Sequence, residues 1–230
     1  MNDIKNINVS FSEAIRSSEM KEISIEFVEN MLDSIMKDGI VKEIPIIGTL
    51  FGINNLALNI KDKIFLKKII YFFNGINHIP VSKRKKMIDL VNDSSIQKVK
   101  VGEKLIYILD KCEDHISAKY IAQLFCAFLD SKLSYLDFLK GARIIQNILL
   151  QDLEDFLDGS DSKFNIKGKA EEIPSEDHLP LINVGICGFG YNDPSLEKNC
   201  FGEKDIQGGD AVIWITDIGN KLKNLLHKEN

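Results

Sequence analysis

Cys112 and His115 stand three residues apart, which places them on one face if the segment is helical. A thiol beside an imidazole is the minimum for nucleophilic catalysis, and the same pair is half of a metal site. The other residues of that chemistry are Cys126, His178, Cys187 and Cys200, with no C-x-x-C and no second close pair. Zinc sites use closely spaced pairs, so this pattern predicts no metal. The thiols read as small buried hydrophobes. Asp152, Glu154, Asp155, Asp158 and Asp161 crowd a single stretch. Metal-dependent chemistry needs carboxylates converging from separate elements, so this run reads as a solvated helix end. Gly188-Phe189-Gly190 lacks the further glycine and helix of a phosphate cradle. The expectation is a protein without catalytic residues, metal or cofactor, and not an enzyme.

Two other clusters could bind rather than react. Lys83, Arg84, Lys85 and Lys86 form a basic knot at a helix start. That is the wrong end for the helix dipole, so the knot is either a solvated face or an anion-binding patch. The stretch from Ile44 to Ile60 holds 17 uncharged residues and is followed by Lys61-Asp62-Lys63 and a strongly apolar helix, Ile64 to Phe73. Gly48 and Gly52 within it have the G-x-x-x-G spacing that lets helices approach closely in lipid. Seventeen residues is the lower edge for spanning a bilayer, and Asn54, Asn55 and Asn59 would be awkward there. The stretch is therefore expected as a buried core helix. The alternative is a membrane-inserting or interfacial element. Ile44, Ile47, Leu50 and Phe51 would make the contact, with Lys63, Lys67 and Lys68 outward at its far end.

Amphipathic helices must position all of this. Met20 to Asp38 has helical period, closed by Gly39. Asp62 suits the first turn of the helix that carries Ile64, Phe65, Ile69, Phe72 and Phe73 inward, and Asn74-Gly75 is expected to end it. Ser82 is expected to cap Lys83 to Val91. Val101 to Lys111 and Ile116 to Ser131 follow. Ser134 then caps a helix from Tyr135 to Leu150, with Leu136 and Leu139 on its inner face. Residues 1–19 are expected as a loosely held arm or a short helix, anchored by Val9, Phe11 and Ile15. Residues 20–158 would be a compact multi-helix bundle. Residues 159–175 are polar enough to read as a linker.

Residues 176–230 change character. His178 to Ile186 suggests a short helix, Gly188 to Asp210 is glycine-rich, and Ala211 to Ile215 is a strand by β-branched and aromatic content. Thr216 would cap Asp217 to His227. The run LINVGIC … GGDAVIWITDIGNKLKNLL, through Gly185, Thr216, Gly219 and Leu222, resembles the end of a winged-helix module. That resemblance implies a helix ending at a glycine, a hairpin wing and a threonine-capped helix. Winged helices often bind DNA, but Ser175 to Ile186 holds no arginine or lysine to face phosphates. Charge for DNA would have to come from Lys83 to Lys86 or from Lys163, Lys167 and Lys169. The segment IPIIGTLFG with KDKIFLKK, roughly 40–75, is similar to small bacterial helical proteins associated with phage defence or toxin systems.

The fold class expected is mainly α, with a small α+β winged-helix-like module at the end. The net charge of −5 argues against a chain that coats nucleic acid. A hydrophobic fraction of 44% is ample for a core. The N-terminus lacks an apolar export signal, so a cytoplasmic location is expected, with attachment to the inner membrane periphery as the alternative. The partner expected is another protein or a second copy, with membrane next and nucleic acid last.

Overall fold

The apolar run after Lys63 sets the architecture, because Leu66, Ile69, Ile70, Phe72 and Phe73 are buried and need other helices to cover them, whereas Ile64, expected inward, is half exposed. The structure, a computed structural model, describes residues 11–17, 60–94, 99–169, 173–193, 195–198, 204–207 and 209–226. The chain is mainly helical, with a small antiparallel sheet near its C-terminus. It divides into two compact units, Met1–Gln146 and Asn147–Asn230.

In the first unit, α1 (Ile60–Ile76) packs on α4 (His115–Leu129), whose apolar side chains are buried on almost every face. Around them stand α2 (Val81–Asn92), α3 (Val101–Lys111) and α5 (Tyr135–Ile145). The core is aromatic: Phe125 lies 5.7 Å from Phe72 and 5.4 Å from Phe138, ring centre to ring centre. Such offset pairs add to the burial of large apolar area. Residues 11–16 are helical, and the Phe11 ring sits 5.1 Å from Phe73. Over residues 11–16 the short-helix alternative is the one seen, and Phe11 and Ile15 are part of the core rather than loosely held.

Gly75 does not end α1. It lies within the last turn, where a Cβ would stand 2.6 Å from Ala122 Cβ on α4. The glycine is there for close helix approach rather than for termination. Ser134 and Asp114 cap their helices as carboxyl and hydroxyl oxygens should, accepting from Asp137 N at 3.0 Å and from Ser117 N at 2.7 Å. Helix α2 instead starts at Val81 after Pro80, so Ser82 is not its cap. The helix expected through Leu150 stops at Ile145, where the first unit closes at Gln146. Leu136 is exposed, not inward.

The second unit opens with α6 (Leu150–Asp158) and α7 (Asp161–Phe164). Then come β1 (Ile166–Gly168), α8 (Leu179–Asn183), β2 (Cys187–Tyr191), a β3–β4 hairpin (Ser195–Lys198, Lys204–Gln207), β5 (Ala211–Ile215) and α9 (Asp217–Leu226). The sheet order is β1-β5-β2, antiparallel throughout, with Ile166 and Phe189 flanking Ile213. Residues 159–175, expected as a linker, therefore contribute a helical turn and an edge strand. Their scarce apolar residues are the anchors: Phe164 is buried 5.1 Å from Phe156. Lys223 fixes the same corner, donating to the Gly159 carbonyl and to Asp161, each at 2.6 Å.

Candidate functional site

Strand alternation sorts the second unit's sheet into two faces. Ala211, Ile213 and Ile215 point to the core and are buried. Val212 and Trp214 take the other face. By register Trp214 opposes Gly188, and a Cβ on Gly188 would meet the indole at 2.4 Å. Gly190 lies under the far edge of the same ring, with a hypothetical Cβ at 3.4 Å. The ring thus lies flat across two glycines, with 44% of the residue open to solvent. It is the chain's single tryptophan. Beyond it on β2, Tyr191 is exposed, with its ring 5.3 Å from Phe189. Half-open aromatic side chains held rigidly are typical interface anchors.

A second feature of this unit is a groove between α6 and α8, about 460 Å³ in volume. Leu149, Leu179, Pro180 and Val184 give it an apolar lining, with Asp152 and Glu176 among its walls and no cation. Leu149 and Leu179 are both exposed. The turn before α8 is pinned by His178, which is buried. Its Nε2 faces the Lys163 carbonyl at 3.0 Å and its Nδ1 faces Ser175 Oγ at 2.7 Å. A carbonyl only accepts, so Nε2 carries a proton and donates to it, while Nδ1 and the Ser175 hydroxyl share the second hydrogen bond. His178 is a structural tie rather than a ligand or base.

The residues behind the winged-helix resemblance each have a physical task. Gly185 takes φ +83° and its N–H closes α8 onto Ile182 O at 3.0 Å. Thr216 Oγ1 accepts from Gly219 N at 3.1 Å and lies 2.8 Å from the Gly185 carbonyl, to which its hydroxyl donates. Gly219 has no room for a side chain: a Cβ would stand 2.3 Å from Ile186 O. Leu222 fills the core below.

Of the partner- or membrane-contact residues expected elsewhere, only Lys63, Lys67 and Lys68 fall among the described residues. Ile44, Ile47, Leu50 and Phe51 lie outside the described residues, as do Gly48 and Gly52. Lys63 is half-buried on α1, and Lys67 lies 5.9 Å over the Tyr71 ring. Lys68, expected outward, is not. It is buried, and its ammonium donates to the carbonyls of Asp110, at 3.2 Å, and of Cys112. These carbonyls lie at the end of α3, where unsatisfied acceptors and the negative dipole end favour a cation. Lys68 therefore cannot reach a lipid headgroup. Among the described residues no helix is long and apolar enough to cross a membrane.

The basic knot separates in the same way. Lys83 pairs with Asp130 at 2.6 Å. Arg84 is wholly buried, donating to the carbonyls of Ile79, Ile15 and Ser17 at 3.0, 2.6 and 3.0 Å. Only Lys85 and Lys86 are exposed, so the knot is no four-residue anion patch. Nor do the thiols offer nucleophiles: burial pushes Cys112 and Cys126 up to about 12 and Cys187 to about 11. His115 packs its ring 4.5 Å from Tyr71, and desolvation, with Lys67 beside it, lowers its pKa. Cys200 lies outside the described residues.

Trp214, Leu149 and Leu179 were not singled out by sequence. The strand alternation of AVIWI does place Trp214 opposite Ile213 and Ile215, so its outward face was legible. Comparison with protein-family models, curated proteins and solved structures gives no match.

Proposed function

We propose that this chain is a non-enzymatic protein-binding protein whose C-terminal unit is the contact module. The observation that carries this is the groove between α6 and α8, apolar inside and acidic at its walls. The antiparallel order β1-β5-β2, with α8 ahead of β2 and a hairpin between β2 and β5, supports a winged-helix-like character for the unit. In a DNA-binding winged helix the segment at α8 would carry cations toward phosphates. Here that segment brings Glu176 and Asp177, and the helix itself is five residues, Leu179–Asn183. Duplex phosphates would be repelled, so the surface suits a protein segment with apolar anchors and basic flanks. Trp214 supplies a second, rigid anchor in the same unit. The partner is another protein or a second copy of this chain. The likeness of residues 40–75 to bacterial defence-associated helical proteins suggests assembly within a defence or toxin system.

The test pairs the parent with a Leu149→Ser/Leu179→Ser variant. Light scattering coupled to gel filtration over a micromolar range reads self-association, and tagged pull-down from the native host reads other partners. The reading holds if an assembly formed by the parent is lost in the double variant while its circular dichroism melt is retained. Equal assembly by both proteins, or a monomer with no specific partner, overturns it.

A further inference from the structure

A different surface, in the first unit, carries charge of the opposite sign. Helices α3 and α5 present two stripes at helical spacing: Lys104, Tyr107 and Lys111 on one, Leu139, Arg143 and Gln146 on the other. Between them is a cleft of about 290 Å³ whose lining holds three cations and no carboxylate. In a chain of net charge −5 this is a local reversal of sign. The cleft is built, not incidental. Gln146 Nε2 donates to the Ile108 carbonyl at 2.9 Å, closing its base across the two helices. Tyr107 is half exposed, and its hydroxyl donates to Glu103 at 3.1 Å, which engages that carboxylate and orients the ring. The C-terminal end of α3 would ordinarily repel an anion. Lys68 offsets this from beneath by taking the Asp110 and Cys112 carbonyls.

We infer that this cleft binds a phosphate monoester on a small molecule, with Arg143 and Lys104 on the phosphate and Tyr107 against an adjoining flat group. A planar guanidinium and two ammonium groups match the charge and the several acceptor oxygens of a phosphate dianion better than a single carboxylate. The volume is at or below the lower end for ligand pockets, about 300 Å³, so the ligand is a mononucleotide-sized molecule or smaller. The exposed face of Tyr107 favours one with a ring to stack. This binding is separate from the protein-contact groove of the second unit.

The probe is AMP, titrated calorimetrically into the full chain at low salt, with adenosine as the phosphate-free comparison. Arg143→Gln and Lys104→Gln/Lys111→Gln should each weaken AMP by roughly tenfold or more, the loss expected for a charge-assisted hydrogen bond. Lys132→Gln, at an exposed lysine outside the cleft, should bind as the parent does. Tyr107→Leu should weaken AMP by a smaller factor, and adenosine should not bind. Circular dichroism melts keep the variants comparable. A second arm uses phosphatidylcholine vesicles carrying phosphatidic acid, which bear the same monoester on a lipid. Sedimentation with these vesicles, lost in Arg143→Gln, would locate the phosphate source in a headgroup. Absence of saturable binding in both arms, or binding equal in parent and cleft variants, overturns the inference.

Discussion

Arg84 Nη1 donates to the carbonyl of Ile15 at 2.6 Å, joining two residues 69 positions apart. Nε and Nη2 of the same guanidinium take the carbonyls of Ile79 and Ser17. One side chain therefore satisfies the C-terminal end of the helical segment 11–16 and the turn before α2. Burial lowers the Arg84 pKa from its ordinary value, yet arginine stays charged at any ordinary pH. A buried cation is tolerated here because its donors meet carbonyl oxygens rather than empty space.

Arg84→Met should accordingly destabilise the first unit by about 2–5 kcal/mol, since it strands buried acceptors as well as removing bonds. Arg84→Lys should rescue only part of this, because an ammonium cannot fan toward three carbonyls in a fixed plane. Urea melts followed by circular dichroism give the magnitude. Hydrogen exchange over residues 11–17 should accelerate in both variants. Melting midpoints equal to the parent would mean that this clamp contributes nothing to stability.

The aromatic core makes a harsher demand. Phe125→Ala removes a ring in contact with Phe72, Phe128 and Phe138 and should cost about 3–5 kcal/mol. That is a large share of the roughly 5–15 kcal/mol that holds a domain together. The variant should melt far below the parent or be lost during expression. A loss under about 1 kcal/mol would show that the ring cluster packs loosely.

In the second unit, Gly219→Ala should be worse than Thr216→Val, against the usual ranking of helix positions. Losing the Thr216 cap costs about 1 kcal/mol. Alanine would normally gain over glycine inside a helix by about the same amount. Here its Cβ would stand 2.3 Å from the Ile186 carbonyl, so α9 or the start of β2 must move. Thermal melts of the two variants decide the order. A stabilising Gly219→Ala would mean that α9 is not held this close.

How much of this was legible follows from which signals are local. The T-x-x-G-x-x-L run encoded its own cap, close approach and core contact, and the strand AVIWI encoded its two faces by alternation. Ser134 announced its helix in the same way. Arg84 and Lys68 were misplaced because nothing in KRKK or FLKK tells which cation meets carbonyls from segments 42 to 69 residues distant. Gly75 looked like a stop signal because its partner, Ala122, is remote in sequence. The linker reading failed at Phe164 and Ile166, two apolar residues in a polar stretch that were enough to hold a turn and an edge strand. The grooves were illegible for the same reason: each is assembled from two helices at spacings that reveal nothing about one another.

The thiols give a pH dependence with a definite sign. Cys112 and Cys126 are held near 12 and Cys187 near 11 when folded, against 9.0 without burial. Between those values the unfolded chain ionises and the folded chain does not. Stability is therefore full below pH 9 and falls as pH rises from about 9 toward 11–12. In a Cys200→Ser variant at pH 8, a thiol reagent should label almost nothing until denaturant is added. Labelling of Cys112 or Cys126 at the rate of an exposed thiol would show that these sites open readily.

Trp214 allows the last test, because it is the chain's only tryptophan and its emission reports one place. In the free protein the ring lies over Gly188 and Gly190 with nearly half of the residue exposed, so acrylamide should quench it readily. Gly188→Ala puts a methyl group where the indole sits and must tip the ring off the strand. Quenching should rise further, and the emission should shift to the red. If Trp214 is a contact anchor, a bound partner should reduce quenching in the parent. Trp214→Ala should then weaken that partner by about 2 kcal/mol or more, as hot-spot tryptophans do. Its effect on stability should be smaller, since only part of the ring's area is covered within the unit. If the ring instead serves only to cover the glycines, the order reverses: Trp214→Ala would lower the melting temperature and leave partner affinity unchanged.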